Sequence, residues 1–308
     1  MSTFLNDSPV FGPVKSRRLG VSLGVNLMPA TGKICTFDCL YCENGLNAQR
    51  RTPDGYNDAQ MVLDALEARL RKMAGEGMLP DVITFAGNGE PTASPAFPEA
   101  IRGAVRLRDE LAPTAKIAVL SNGTRAGVPE VHDALMLVDD NILKLDTVDA
   151  DYIALLDRPV GAYDVERQVE AFASFGGHVI VQTIFLTGTV DGVSMDNTGE
   201  KYVGPWLEAL RRIGPEAVTI YTVARQTPVE GLSKAAPEVL DAIADRVRAL
   251  GIRIDDIESN PAYLNSGLSV FTVSFTVSSA ELKQYKKHGE IIEALRSLDY
   301  VYYIEEMN

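Results

Sequence analysis

Between residues 20 and 258, short apolar runs alternate with amphipathic stretches, and that alternation restricts the fold of this 308-residue chain more than any other feature. GVSLGVNLMP, DVITFAG, KIAVLSNG, NILKLD, HVIVQTIFLTG, AVTIYTVAR and IRIDDIE read as strands. DAQMVLDALEARLRKMAGEG sets Met61, Val62, Ala65, Leu66 and Leu70 at helical spacing behind a cap at Asn57 and ends near Gly75 and Gly77. FPEAIRGAVRLRDEL is a second helix with Pro98 in its first turn. Further helices are expected near 128–137, 149–156, 163–175, 200–213 and 237–250. Strands separated by such helices lie parallel with both faces covered, so six units give an α/β barrel or an open doubly wound sheet. Periodicity does not choose between the two. Residues 1–19, with Pro9, Gly12 and Pro13, read as an N-terminal arm. After Glu258 the rhythm changes, and residues 259–308 read as a small strand-helix-strand appendage that caps the main domain or joins subunits.

The first strand runs into KICTFDCLYCENG, residues 33–45, which holds Cys35, Cys39 and Cys42, every cysteine of the chain, spaced C-x3-C-x2-C. Thiols gathered in so short an arc present soft ligands to one metal centre; disulfides are a poor alternative. A structural zinc site is closed by four protein ligands. His132, His178 and His288 are all distant in sequence, so only a tertiary contact would complete a Cys3His site. A four-iron cluster on three thiolates leaves one iron open to an exogenous ligand, as catalysis requires. An odd number of cysteines, and an N-terminus without a basic region followed by an apolar core, point to a reducing cytoplasm. No apolar run reaches the roughly 18 residues of a membrane span.

C-x3-C-x2-C with Tyr41 just before the last cysteine resembles the signature of the radical SAM superfamily. The frame FGPVKSRRLGVSLGVNL resembles the subgroup related to the wyosine-forming tRNA enzymes, and the likeness runs over roughly residues 10 to 258. It implies a partial (βα)6 barrel over residues 20–258 with its active site at the C-terminal strand ends, where the cysteine loop sits. It also implies a 4Fe-4S cluster on Cys35, Cys39 and Cys42, with S-adenosylmethionine chelated at the open iron. One electron would cleave that cofactor to methionine and a 5′-deoxyadenosyl radical, which abstracts hydrogen from substrate. The electron implies a reducing partner such as a flavodoxin or a ferredoxin. With every cysteine spent on metal, a thiol cannot donate hydrogen, and Tyr221 is the candidate donor. The rival of another class is a non-catalytic iron-sulfur electron carrier or redox sensor.

GNGEPT, residues 87–92, directly follows the second strand. Gly87 and Gly89 permit a tight turn and close approach to a ligand, and carbonyls beside Glu90 suit an ammonium. The stretch resembles the Gly-Gly-Glu element that holds the methionyl amine in the superfamily, with Asn88 where glycine is frequent. Ser121 and Asn122 end the third strand, as turn residues or as cofactor contacts. Lys144 and Asp146 share a strand face and form an ion pair or meet the cofactor's ribose or carboxylate. Gln182 and Arg225 interrupt apolar runs and so face the interior. Arg225 shares a face with Tyr221 and suits an anionic substrate or a salt bridge. Arg17 and Arg18 are a solvated rim or a bidentate clamp on a carboxylate. Tyr41, Gly87, Asn88, Gly89, Glu90, Ser121, Asn122, Lys144, Asp146 and Gln182 thus form the candidate cofactor set, and Arg17, Arg18 and Arg225 the candidate substrate set. Asp191, Asp196 and Asn197 lack the alternation of a calcium loop and solvate their turn. The balance of 29 basic against 42 acidic residues, a net charge of −13, disfavours tRNA. A small metabolite fits the compact chain and that charge, and is preferred to RNA or a peptide.

Overall fold

The computed structural model describes residues 5–16, 20–223 and 227–258. The expected appendage, Arg17, Arg18, Arg225 and His288 lie outside the described residues. In chain order the elements are β1 (Val10–Ser16), β2 (Gly20–Val25), α1 (Ala59–Gly75), β3 (Val82–Phe85), α2 (Phe97–Leu111), β4 (Lys116–Ser121), α3 (Pro129–Leu135), β5 (Asp140–Lys144), α4 (Ala150–Leu156) and α5 (Val165–Ala173). There follow β6 (Ile180–Ile184), β7 (Leu186–Val190), β8 (Val193–Ser194), α6 (Glu200–Ile213), β9 (Ala217–Tyr221), β10 (Leu232–Lys234), α7 (Pro237–Ala249) and β11 (Arg253–Glu258).

Eight strands form one sheet in the order β1-β2-β3-β4-β5-β6-β9-β11, with β1 antiparallel to β2 and every later pair parallel. The parallel strands follow chain order without reversal, so each right-handed crossover steps the same way and the helices collect on one face. A doubly wound sheet would need a switch point where the order turns back. The arrangement is therefore singly wound, six βα units followed by β11, with β1 and β11 as the end strands of a partial barrel among the described residues.

Strand alternation sorts the apolar side chains. Leu23, Val25, Ile83, Phe85, Ile117, Val119, Leu143, Val181 and Val218 pack beneath the helices in the main core. Val82, Ala118, Ile142, Ile180 and Ala217, one residue out of step, form a separate layer on the inner face. Two residues further along that face, toward the C-terminal strand ends, come Lys144 opposite Gln182 and Gln182 opposite Thr219, followed by Tyr221. The inner face thus changes from apolar to polar as it nears the strand ends. On the other face, buried Trp206 pins α6 to the sheet by donating to the Leu145 carbonyl and Thr183 Oγ1, each at 3.1 Å.

Three local expectations change. Residues 10–16 of the expected arm are β1, which extends the sheet by pairing with β2. HVIVQTIFLTG is two strands, β6 in the main sheet and β7 in a small sheet of order β10-β7-β8. Buried Asn197 makes that break affordable by accepting from Leu186 N at 2.9 Å and donating to the Ile184 carbonyl at 2.8 Å. The cap of α1 is Asp58, which accepts from Gln60 N and Met61 N, while Asn57 donates to the carbonyls of Asn26 and Met28 at 3.0 and 2.7 Å. No helix among the described residues is long and apolar enough to cross a membrane.

Candidate active site

The cysteine loop leaves the C-terminal end of β2 and is tied down on both sides. Ile34 forms a parallel bridge with Gly89, its N–H donating to the Asn88 carbonyl at 3.1 Å and its carbonyl accepting from Glu90 N at 3.0 Å. Asp38 N and Leu40 N donate to the carbonyls of Asp157 and Leu156 at 3.0 and 2.9 Å, docking the middle of the loop on the end of α4. Within the loop, Cys42 N donates to the Cys39 carbonyl at 3.1 Å and Gly45 N to the Cys42 carbonyl at 2.9 Å. The backbone therefore folds back on itself around its thiols.

All three cysteines are unpaired, with Cys39 buried and Cys35 and Cys42 partly exposed. Burial, then Glu90, pushes the Cys35 thiol up to about 12, with Cys42 adding to the rise and Lys33 opposing it. Burial, then Asp157, holds Cys39 well above the usual thiol range, and both other cysteines add to that shift. The three sulfurs thus lie within one another's field. Cys35 and Cys39 therefore keep their protons until a cationic centre displaces them. Among the described residues no three His, Cys, Asp or Glu side chains are gathered to hold a single ion. A cubane makes no such demand, since each thiolate takes its own iron. The two described histidines lie away from the cysteine loop. His132 stacks on Phe175 with centroids 4.3 Å apart, and His178 precedes β6, at the strand end opposite the cysteine loop.

The turn after β3 is built by close backbone approach. Gly87 and Gly89 have φ of 148° and 141°. A Cβ on Gly87 would stand 2.3 Å from Asn26 Oδ1, and one on Gly89 only 1.8 Å from the Ile34 carbonyl oxygen. The space these glycines open is thus filled by Asn26 and by the cysteine loop itself, where the sequence suggested a ligand. Asn88 is buried, and its carboxamide joins Pro29 O at 2.9 Å to the backbone of Asn6, donating to its carbonyl at 2.8 Å and accepting from its N–H at 2.7 Å. Glu90 Oε1 accepts from Thr92 N at 3.0 Å, Thr92 Oγ1 at 2.6 Å and Ser121 Oγ at 2.7 Å, and Oε2 accepts from Asn122 N at 2.7 Å. Burial raises the Glu90 pKa, and these donors oppose the rise. Glu90 thereby locks the end of β3 to the end of β4. Asn122 Nδ2 then lies 3.8 Å from Cys35 Sγ.

A second polar group closes the inner face. Lys144 Nζ lies 3.4 Å from Asp146 Oδ2, 2.5 Å from the Tyr221 hydroxyl, and over the Tyr41 ring at 4.9 Å from its centroid. The Tyr41 hydroxyl meets Asp146 Oδ2 and, at 2.9 Å, Asp157 Oδ1. Burial is the largest influence on Lys144 and opposes its charge. Asp146, followed by Tyr221, Cys39 and Asp157, outweighs it and holds the ammonium well above its ordinary range. The expected ion pair between Lys144 and Asp146 is present, although β5 ends at Lys144 and Asp146 belongs to the loop. Gln182 is half-buried beside Lys144 on the inner face.

The structure thus gathers Tyr41, residues 87–90, Ser121, Asn122, Lys144, Asp146, Gln182 and Tyr221 around the cysteine loop. Asp157 and Lys33 belong to the same site and were not among the sequence candidates. Asp157 follows α4 with no periodic signal to mark it. Lys33 opens the cysteine stretch and was readable by position alone. Among the described residues buried Asn26 Nδ2 has no hydrogen-bond partner, and the side chain sits beside Gly87, an orphan donor next to the candidate cofactor turn.

Residues 30–200 match the family model described as the radical SAM superfamily. A UPF0026 protein of Synechocystis sp. is 30% identical over 226 residues, covering 72% of this chain and 77% of that protein. A protein named GTPase Obg from Brachyspira hyodysenteriae is 27% identical over 232 residues, 73% of this chain but only 31% of that protein's length. The solved structure of a radical SAM methyltransferase from Sphaerobacter thermophilus superposes with a TM-score of 0.55 at 19% identity, covering 76% of this chain and 65% of that one, a likeness of fold.

Proposed function

The chain belongs to the radical SAM superfamily, and we propose that it binds a 4Fe-4S cluster through Cys35, Cys39 and Cys42, takes S-adenosylmethionine at the fourth iron, and acts on a small metabolite in the cytoplasm. When bound, the cluster and S-adenosylmethionine supply a one-electron cleavage of the sulfonium, giving methionine and a carbon radical that takes hydrogen from substrate. The observation that carries this reading is the bridge between Ile34 and Gly89, which sets an all-thiol loop against the 87–90 turn at the strand ends. The donor set fits iron-sulfur chemistry, since three soft thiols lie on one loop of eight residues, each free to take its own iron, and neither described histidine lies on that loop.

The protein's own residues orient and enclose. The carbonyls of the 87–90 turn, held by Glu90 and Asn88, receive the methionyl ammonium; Ser121 and Asn122 bound the cofactor beside Cys35. Tyr41, Asp146 and Gln182 close the side toward the inner face, with Lys144 for the ribose or carboxylate. Arg17, Arg18 and Arg225 bind an anionic substrate. Tyr221 is the hydrogen donor, passing its O–H hydrogen to the substrate-centred radical and being restored by one electron from the reducing partner and a proton from solvent; burial above all holds its pKa well above the ordinary phenol range, so the O–H is present to give. A flavodoxin or ferredoxin delivers the electron. A net charge of −13 supports a metabolite over tRNA.

Anaerobic reconstitution tests the reading. About four irons per chain with matching sulfide, and 5′-deoxyadenosine on addition of dithionite and S-adenosylmethionine, are expected. Stoichiometric zinc, or bleaching without 5′-deoxyadenosine, would replace this enzyme with a zinc module or an electron carrier. Deuterium passing into 5′-deoxyadenosine from labelled metabolites would name the substrate class; transfer from tRNA alone would reverse that part.

A further inference from the structure

We propose that Lys33 is a positioning residue for the metal centre, donating from its ammonium to Cys42 Sγ and so raising the reduction potential of the bound cluster. The inference rests on the cluster assignment above and concerns a residue outside the expected ligand set. Lys33 is only 5% exposed. Its Nζ reaches Cys42 Sγ at 3.3 Å and the Gly45 carbonyl at 2.8 Å, and its own N–H is anchored on the Arg50 carbonyl at 2.9 Å. Burying an ammonium against a neutral carbonyl is unfavourable by itself; the charge needs an anion at close range. The sulfur beside it becomes that anion once it binds iron.

The consequence is electrostatic and directional. An electron entering an iron-sulfur cluster adds negative charge that spreads onto the ligand sulfurs. A cation hydrogen-bonded to one of those sulfurs therefore stabilises the reduced form more than the oxidised form. Lys33 is also buried, so solvent does not screen it as it would a surface lysine. Gly45 O fixes the direction of the ammonium, which makes the contact a built feature of the loop.

The test is an EPR-monitored redox titration of reconstituted wild type, Lys33→Met, Lys33→Gln and Lys33→Arg. Lys33→Met is expected to weaken the preference for the reduced cluster about tenfold, a shift of about 59 mV to lower potential for one electron. Lys33→Arg should restore most of the wild-type value, while Lys33→Gln, which keeps a donor for Gly45 without the charge, should follow Lys33→Met. Equal potentials in wild type and Lys33→Met would overturn the proposal. So would loss of iron from both neutral variants, which would assign Lys33 to the fold of the loop. A wild type that takes up no iron would instead sink the cluster assignment.

Discussion

Cys39→Ala and Gly89→Ala are expected to abolish 5′-deoxyadenosine formation alike, the first by deleting a ligand and the second by displacing one. Cys39 is the buried member of the set, 8% exposed, and the chain holds no fourth cysteine to replace it. Gly89 touches no metal, yet a methyl group there would lie 1.8 Å from the Ile34 oxygen and 2.5 Å from its carbonyl carbon. Both are backbone atoms that no rotamer change can move. Relief requires breaking the bridge, and with it the bonds from Ile34 N to Asn88 O and from Glu90 N to Ile34 O. At about 1 kcal/mol each, with about 1–3 kcal/mol more for a side chain at φ of 141°, the loss is about 3–5 kcal/mol. Cys35 is the next residue after Ile34, so it moves too. Gly251→Ala is the control: φ there is 76° but nothing among the described residues lies within 4 Å of the added methyl. It should cost about 1 kcal/mol and leave cofactor cleavage intact. Urea midpoints, iron content and 5′-deoxyadenosine yield measured on the three variants decide the matter. Full iron and turnover in Gly89→Ala would show that the bridge does not position the ligand loop.

What the sequence made legible follows from how local each signal is. The parallel strands and α2 were readable because their periodicity lies within a single segment; FPEAIRGAVRLRDEL is α2 residue for residue. The cysteine loop was readable because chemistry and spacing coincide in thirteen residues. Singly wound order came from the resemblance alone, since it depends on which strands pair, and periodicity is blind to pairing. The break within HVIVQTIFLTG was hidden for the same reason: Asn197, which satisfies the split strand, lies thirteen residues beyond Ile184. Gly87 and Gly89 were rightly singled out but for another physical cause, close approach of protein rather than of ligand. Asp157 was missed because its meaning comes from Tyr41, 116 positions away.

The network around Tyr41 yields the second large effect, and its two aspartates should respond with different magnitude and different pH dependence. The Asp146 side chain is fully buried, pairs with Lys144 at 3.4 Å, and accepts from Ile184 N at 3.0 Å. Asp146→Ala leaves the Lys144 ammonium without its paired carboxylate and the Ile184 N–H without its acceptor in a buried site. Breaking a buried pair in this way costs about 3–5 kcal/mol. Asp157 differs, because burial first and Asp146 second push its carboxyl well above the usual carboxylate range. With the Tyr41 hydroxyl set between the two carboxyls, one of them keeps a proton, and the shift assigns it to Asp157. The folded state then binds more protons than the unfolded state from the ordinary aspartate pKa, about 3.9, up to the raised value. Stability therefore falls as pH rises through that window, and is fully retained only below it. Asp157→Asn replaces the shared O–H by an N–H that never titrates. It should cost less than about 1 kcal/mol at low pH and gain on wild type with each step upward, whereas Asp146→Ala should remain destabilised across the range. Urea midpoints from about pH 5 to about pH 8 supply the comparison. Parallel curves for wild type and Asp157→Asn would mean that Asp157 is ionised in the fold, and Lys144 would then be facing two carboxylates instead of one.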